Sequence, residues 1–169
     1  MLLRANFFVF SPLLALLALH AITTGYTWAA DATLSVPDLA KAAALGNQQA
    51  VHALLNGGAA VDEKDAAAWT ALHHAAAGGF SAVVSLLLDR GADPNARDGF
   101  EMTPLHWAAT LGRAEVAGLL ARRGARHDSR NDYGMTPIHL AADDKVVKVL
   151  CDAGANTNAL DDRGRSPLH

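Results

Sequence analysis

The chain has 169 residues, of which 51% are hydrophobic and only 6% are aromatic, and its formal net charge is −3. A charge this close to balance gives no general attraction to nucleic acid or to anionic lipid. The single cysteine excludes an internal disulfide bond, so the fold has to be stabilised by packing.

Residues 1–29 have the composition of a secretory signal peptide. One positive charge, at Arg4, precedes an apolar run that ends at Leu19, and no acidic residue lies in this segment. The small residues Thr27 and Ala29 occupy the third and first positions before a predicted cleavage site that follows Ala29, as is typical of signal peptides. We therefore expect an exported protein, periplasmic or secreted, in which residues 30–37 form a linker.

The same segment also allows an alternative interpretation as an uncleaved signal anchor. Residues 6–22 would then hold the protein at the membrane. The apolar run is short for a membrane span, and no stop-transfer segment follows it. The sequence therefore favours cleavage over anchoring.

From residue 38 onward, one pattern recurs with a period close to 33 residues. A Gly-Ala pair occurs four times, at separations of 33, 33 and 30 residues, beginning at Gly58, Gly91, Gly124 and Gly154. A period in this range indicates a stack of identical supersecondary units and not one shared globular core. The predicted units are 38–69, 70–102, 103–135 and 136–165, and a fifth begins at 166.

Each unit after the first begins with a helix-start signal. Thr or Ser at the N-cap is followed by Ala or Pro, then Leu or Ile, then His, at residues 70–73, 103–106, 136–139 and 166–169. The hydroxyl suits the unpaired amides of a first turn, and proline fits the first helical position. In the typical unit, this helix start is followed by a pair of alanines and then by a turn that contains glycine. A second helix comes next, with apolar residues at helical spacing. That second helix ends at the Gly-Ala pair, where glycine can adopt a left-handed conformation.

An Asp or Asn stands five residues before each of these helix starts, at Asp65, Asp98, Asn131 and Asp161. Such side chains hydrogen-bond their own backbone and hold a turn. Glycine follows three residues later in two units, at Gly134 and Gly164, but Ala68 and Glu101 occupy the same column in the others. If that position has a positive φ, each of these two residues costs about 1 kcal/mol.

The pattern Thr-Pro-Leu-His, Gly-Ala, Asn-Ala and Asp at this spacing resembles the ankyrin repeat, over residues 39–169. The resemblance implies an all-α solenoid of paired antiparallel helices, with a projecting hairpin-like loop in each unit. It also implies that the repeated imidazoles bridge the Thr-Pro turn and the adjacent backbone (His73, His106, His139 and His169). A metal ladder is excluded because stacked helices lie ~10 Å apart, whereas zinc ligands lie ~2 Å from one centre.

Two departures from the pattern concern the fourth unit and the chain end. The unit that starts at Thr136 is three residues short and lacks the glycine turn between its helices, so its first helix has to end early or its turn has to tighten. The chain ends at His169, four residues into a fifth unit. We expect it to be a fragment of a longer product.

The resemblance places two columns of residues on the projecting loops, at the rim of a concave face. One column contains Ala67, Phe100, Tyr133 and Arg163, and the other contains Trp69, Met102, Met135 and Arg165. Exposed aromatic residues and methionines favour contacts with proteins. The residues predicted to bind a protein partner are Trp69, Phe100, Met102, Tyr133, Met135, Arg163 and Arg165, with Ala77, Thr110 and Asp143 completing the face. The alternative is that some of these rings fold back onto the neighbouring loop.

No pattern typical of catalysis, cofactor binding or metal binding stands out. Cys151 lies in an interior column of a second helix and is predicted to be a buried thiol. We expect Trp107 in the core and His74 partly exposed. The predicted function is therefore non-enzymatic binding of an unidentified protein by a monomer, without nucleic acid. The alternatives are an appendage of a larger protein whose missing part is catalytic, and a membrane protein held by its signal anchor.

Overall fold

The computed structural model describes residues 36–167, and all regular structure within them is helical. The helices are α1 (Val36–Ala44), α2 (Gln48–Asn56), α3 (Ala71–Gly78), α4 (Ser81–Asp89), α5 (Pro104–Thr110), α6 (Ala114–Arg122), a 3₁₀ helix (Pro137–Leu140) and α7 (Asp144–Asp152). The predicted signal peptide, residues 1–29, lies outside the described residues, as do most of the predicted linker and residues 168–169. Because α1 begins at Val36, the last two residues of the predicted linker belong to the first helix.

The helix pairs stack in successive layers, as the period predicts. The first helices of neighbouring units contact one another in the order α1, α3, α5 and the 3₁₀ helix, and the second helices follow in the order α2, α4, α6 and α7. Leu72, Leu105 and Ile138 occupy one sequence column, and each is buried in its own layer. The all-α solenoid of the sequence analysis is confirmed. Among the described residues, no helix combines the length and the apolar character needed to cross a membrane.

Small side chains on the first helices and branched side chains on the second helices make this stacking possible. Ala75 and Ala76 of α3, and the equivalent Ala108 and Ala109 of α5, are fully buried. Their size lets adjacent backbones approach closely. The second helices supply the larger apolar groups, including Leu87 of α4, which is fully buried. Burial of one such leucine contributes roughly 1.5–3 kcal/mol.

The turn between the two helices of a unit requires glycine for two reasons. Gly46 and Gly79 adopt φ values of 66° and 81°, which side-chain-bearing residues rarely adopt. A Cβ atom on Gly46 would lie 2.6 Å from the Phe80 ring, and one on Gly79 would lie 2.9 Å from Cδ of Arg113. Each of these two units therefore uses the space above its turn glycine to accommodate a side chain of the next unit.

The fourth unit replaces its first helix by a single 3₁₀ turn. The turn ends at Leu140, and the backbone N–H of Ala142 donates to the carbonyl oxygen of Ala109 (3.0 Å). Asp143 then caps α7 by accepting a hydrogen bond from the N–H of Val146 (2.9 Å). The prediction that this helix ends early is confirmed.

Cys151 corrects the sequence analysis, because its side chain is exposed and not buried. The reason lies in its column. Leu55, Leu88 and Ala121, at the equivalent positions of the earlier units, are only half-buried although a further second helix packs against each of those units. The described residues contain no second helix after α7, and Cys151 is more exposed than these three residues.

Candidate protein-interaction surface

The two loop columns of the sequence analysis are held by one repeated hydrogen-bond motif. In each loop, Oδ1 of the Asp or Asn accepts two backbone N–H groups at 2.8–3.0 Å, which confirms the predicted turns. The donors are residues 67 and 69 for Asp65, 100 and 102 for Asp98, 133 and 135 for Asn131, and 163 and 165 for Asp161. The motif therefore fixes the two backbone positions from which the predicted contact side chains project.

The second carboxylate oxygen of each of the three Asp side chains binds a different partner. Oδ2 of Asp65 lies 2.7 Å from Nε2 of His74, and Oδ2 of Asp98 accepts a hydrogen bond from Nε1 of Trp107 (2.8 Å). Oδ2 of Asp161 accepts from the guanidinium of Arg165, 2.8 Å from Nε. Sequence reasoning missed all three pairs. For the first two, the signal is the common separation of nine residues, 65 to 74 and 98 to 107.

These contacts shift the pKa values of two of the carboxyl groups. The hydrogen bond from the Arg165 side chain is the main reason that the pKa of Asp161 falls to about 2. Burial raises the pKa of Asp65, but the hydrogen bonds from His74, Trp69 and Ala67 outweigh it and hold that pKa below its usual value. Both loops are therefore built around ionised carboxylates at neutral pH.

The repeated histidines connect each unit to the loop of the next. The backbone N–H of Thr70 donates to Nδ1 of His73 (3.1 Å), so Nε2 carries the proton and donates to the carbonyl oxygen of Met102 (3.2 Å). His106 and His139 bind the carbonyl oxygens of Met135 and Arg165 in the same way. This arrangement confirms the role that the ankyrin resemblance implies for the imidazoles, except His169, which lies outside the described residues.

Adjacent loops are also bonded directly to one another. The backbone N–H of Asp132 donates to the carbonyl oxygen of Phe100, and that of Asp162 donates to the carbonyl oxygen of Tyr133, both at 3.2 Å. A ladder of basic side chains runs parallel to these bonds, each donating to the carbonyl oxygen of the next member: Lys64 to Arg97, Arg97 to Arg130, and Arg130 to Leu160. The loops therefore form a continuous row.

The structure leaves part of the predicted surface exposed. Phe100 and Tyr133 are 43% and 48% exposed. Arg163 and Arg165 of the last loop are exposed as well. These four side chains lie on three successive loops that the hydrogen bonds above tie together.

Met102 corrects the prediction of an exposed contact, because only 3% of it is exposed. Its side chain turns inward and packs with Ala77 and Trp107 in a small apolar cluster, which also buries Trp107 as predicted. Ala77 is itself buried, so it does not complete an exposed face. Met135, in the same column as Met102, is half-buried.

Trp69 is also half-buried, since its ring lies against its neighbours. Its centroid is 4.5 Å from that of Trp107 and 4.9 Å from that of His74, with tilted planes. Trp69 therefore folds back, as the alternative expects, but its ring packs on residues of α3 and α5 and not on the neighbouring loop. His74 is partly exposed, as predicted, with 22% of its side chain accessible.

The remaining predicted members of the face lie on or after the first helices. Thr110 is half-buried, and its hydroxyl donates to the carbonyl oxygen of His106 (2.8 Å). Asp143 is exposed and occupied in capping α7. Within residues 36–167, no group of three or more His, Cys, Asp or Glu side chains is placed to hold a metal ion.

Comparison with known families agrees with this architecture. The family model described as "Ankyrin repeats (3 copies)" matches residues 39–131, and the model described as "Ankyrin repeat" matches residues 133–162. Because the first match alone spans more than half of the chain, the protein belongs to the ankyrin-repeat family. Ankyrin repeats are generally protein–protein interaction modules and are typically non-catalytic. A search of curated proteins gave no match to this chain.

Proposed function

We propose that this protein is an exported ankyrin-repeat module that binds another protein through its loop-tip row, defined as residues 67–69, 100–102, 133–135 and 163–165. The observation that carries the proposal is the exposure of Phe100 and Tyr133 on neighbouring loops. Large aromatic side chains at a surface lose unfavourable contact with water when a partner covers them, and they dominate the energetics of many interfaces.

The hydrogen bonds beneath the row support the same proposal. The backbone at Phe100 is held by Asp98 below it and by Asp132 of the next loop, and Tyr133 is held equivalently by Asn131 and Asp162. Binding to a surface that is already ordered costs little conformational entropy. The row is therefore suited to recognition of a partner without refolding.

Site-specific photo-crosslinking tests the proposal in the cells that make the protein. A photoreactive amino acid at position 163, at the end of the row, is expected to form an adduct with a partner protein. Phe100→Ala combined with Tyr133→Ala should reduce that adduct by about tenfold, since two exposed aromatic anchors are removed. Leu45→Ala is the matched control, because Leu45 is 46% exposed but lies in the turn between α1 and α2. An adduct that both variants form equally well contradicts the proposal.

Export is the second part of the proposal, and it rests on the signal-peptide pattern of residues 1–29. A fusion of residues 1–35 to a reporter that is active only outside the cytoplasm should give signal. Mass spectrometry of the mature protein should find an N-terminus at Ala30. An intact Met1 in the membrane fraction would support the signal anchor instead, and a silent reporter would exclude export.

A further inference from the structure

Asn131 breaks a rule that the other three loops obey. Asp65, Asp98 and Asp161 each place Oδ2 on a side-chain donor, as described above. Asn131 presents the amide group Nδ2 at that place, and this nitrogen is buried without any hydrogen-bond partner. The residue as a whole is only 6% exposed.

The orientation of the Asn131 amide is fixed by its surroundings. Its Oδ1 accepts the backbone N–H groups of Tyr133 and Met135, both at 3.0 Å. A flipped amide would direct its NH₂ group at two donors, so the unpartnered atom is the nitrogen. Nine residues further along the chain, where His74 and Trp107 supply the partner in other units, the third loop has Leu140. A leucine side chain offers no acceptor.

A buried donor without an acceptor is unfavourable, and buried polar groups are almost always paired. The position of this donor is informative because Asn131 lies directly beneath the loop-tip row, where its Oδ1 holds the backbone of Tyr133 and Met135. Met135 and Leu140 are half-buried, and Tyr133 is exposed. Nδ2 itself has almost no accessible surface, so an acceptor from a partner can reach it only when a neighbouring side chain moves. Leu140 stands where His74 and Trp107 stand in other units, and it belongs to a single 3₁₀ turn at the edge of the Trp107 cluster.

We propose that Asn131 Nδ2 is a specificity-determining donor, which binds an acceptor oxygen of a peptide segment of the partner. An apolar side chain next to that oxygen would pack on Tyr133, Met135 and Leu140. This inference rests on the proposed function and names the chemistry that the third loop recognises. The oxygen belongs to a backbone carbonyl, or to a side-chain amide or carboxylate, which share the same acceptor chemistry.

The chain offers a variant that changes the donor and keeps the loop. Asn131→Asp retains the Oδ1 acceptor, since aspartate occupies this column in the three other loops, but it replaces the donor by an anionic oxygen. Asn158→Asp is the matched control. It introduces the same charge at an exposed residue whose column contains Asp62 and Asp128 in earlier units.

The test uses a displayed library of random 12-residue peptides, selected on the full 169-residue chain, and measures Kd for the enriched peptides. Asn131→Asp should weaken binding by about tenfold or more, because a hydrogen bond is lost and two acceptors face each other. Asn158→Asp should leave Kd unchanged. Alanine substitution of acidic and amide residues in the peptide then identifies the oxygen: loss of binding assigns a side chain, and retention assigns a backbone carbonyl.

Nuclear magnetic resonance of the wild-type protein gives a readout that does not depend on how the variant folds. Addition of an enriched peptide should shift a proton resonance of the Asn131 side-chain amide downfield. If this resonance stays unchanged and Asn131→Asp binds as wild type does, the inference is wrong, and the amide is at most hydrated by an internal water. If, in that case, binding of the peptides still requires Phe100 and Tyr133, the proposed function is retained without this inference. Failure to enrich any peptide also overturns the inference, while photo-crosslinking decides the proposed function separately.

Discussion

The imidazole Nε2 of His73 donates a hydrogen bond to the carbonyl oxygen of Met102, 29 residues further along the chain (3.2 Å). A side chain of one helix therefore fixes the loop that begins the next unit. The bond requires a neutral imidazole whose Nδ1 accepts from Thr70, and burial lowers the pKa of His73 to about 4. His106 repeats this geometry with Met135, and burial lowers its pKa to about 4 as well.

The protein should lose stability on acidification between pH 6.5 and pH 4. In this range the unfolded chain protonates His73 and His106 while the folded chain does not, so the free energy of unfolding falls as the pH falls. From a reference pKa of 6.5 to about 4, each histidine contributes a loss of about 3 kcal/mol. Urea denaturation at pH 7, 5 and 4 measures this loss in the free energy of unfolding.

His106→Gln provides the control for this pH dependence. The variant should be less stable than wild type at pH 7, because the bond to Met135 is weakened, but it should lose less stability on acidification. The pKa of Asp161 falls from its ordinary value of 3.8 to about 2, so the stabilisation it gives is lost mainly below pH 4 and adds little to the change in this window. An unchanged slope between pH 7 and pH 4 in His106→Gln would contradict the assignment.

Substitution of the turn glycines should separate backbone strain from steric overlap. Gly46, Gly79 and Gly58 all have positive φ values, of 66°, 81° and 91°. Gly58→Ala meets no atom within 4 Å and should cost about 1 kcal/mol from strain alone. Gly46→Ala also overlaps the Phe80 ring, and overpacking adds about 1–3 kcal/mol.

Gly79→Ala should be intermediate, since its Cβ meets the flexible side chain of Arg113, which can move. Chemical denaturation of the three variants measures the loss in the free energy of unfolding for each and therefore gives the order of the three costs. Equal costs at Gly46 and Gly58 would show that Phe80 moves aside freely.

The fold could be predicted from the sequence because its information is repeated. The same residue types occur at several equivalent positions of several units. The period therefore predicts the helix pairs, the glycines in left-handed conformation and the turns held by Asp. Burial of single residues was harder to predict, since it depends on the neighbouring unit. Met102 turns inward because Trp107 and Ala77 offer an apolar cluster. Cys151 is exposed in a column that is only half-buried even where a further second helix follows, as at Leu88 and Ala121. Asn131 has no partner because residue 140 is a leucine. The importance of that position becomes visible only from the contacts of His74 and Trp107 in the other units.

Ala68→Gly should stabilise the protein. Ala68 has φ 61°, whereas the equivalent Gly134 and Gly164 have φ 69° and 72°. Relief of this strain outweighs the greater freedom of glycine in the unfolded chain, with an expected gain of about 0.5–1 kcal/mol. Ala66→Gly in the same loop, where φ is not positive, is the control and should be slightly destabilising. If the midpoint of chemical denaturation rises for both variants, or for neither, the result would argue against strain at residue 68.

Glu101→Gly should gain less than Ala68→Gly, although Glu101 has a similar φ of 58°. Its carboxylate lies 2.7 Å from the Arg97 guanidinium, and about half of each side chain is exposed, so the ion pair contributes only ~0.2–1 kcal/mol. Thermal unfolding of the two variants at low and high salt measures the difference, which should shrink as salt screens the pair. A difference that does not depend on salt would assign it to the backbone.

The cap of the shortened unit gives the last prediction. Asp143 is the N-cap residue of α7, and its Oδ1 accepts a hydrogen bond from the N–H of Val146. This unit has no separate turn between its 3₁₀ helix and α7. Asp143→Ala should therefore cost about 1 kcal/mol, whereas Asp143→Asn, which keeps the acceptor, should cost much less. Hydrogen exchange by mass spectrometry should show the loss in α7 before it reaches α4, because a terminal unit of a repeat stack is supported on one side only within the described residues. Uniform loss of protection in α4 and α7 would mean that the four units unfold as one block and that the short 3₁₀ turn does not weaken the stack locally.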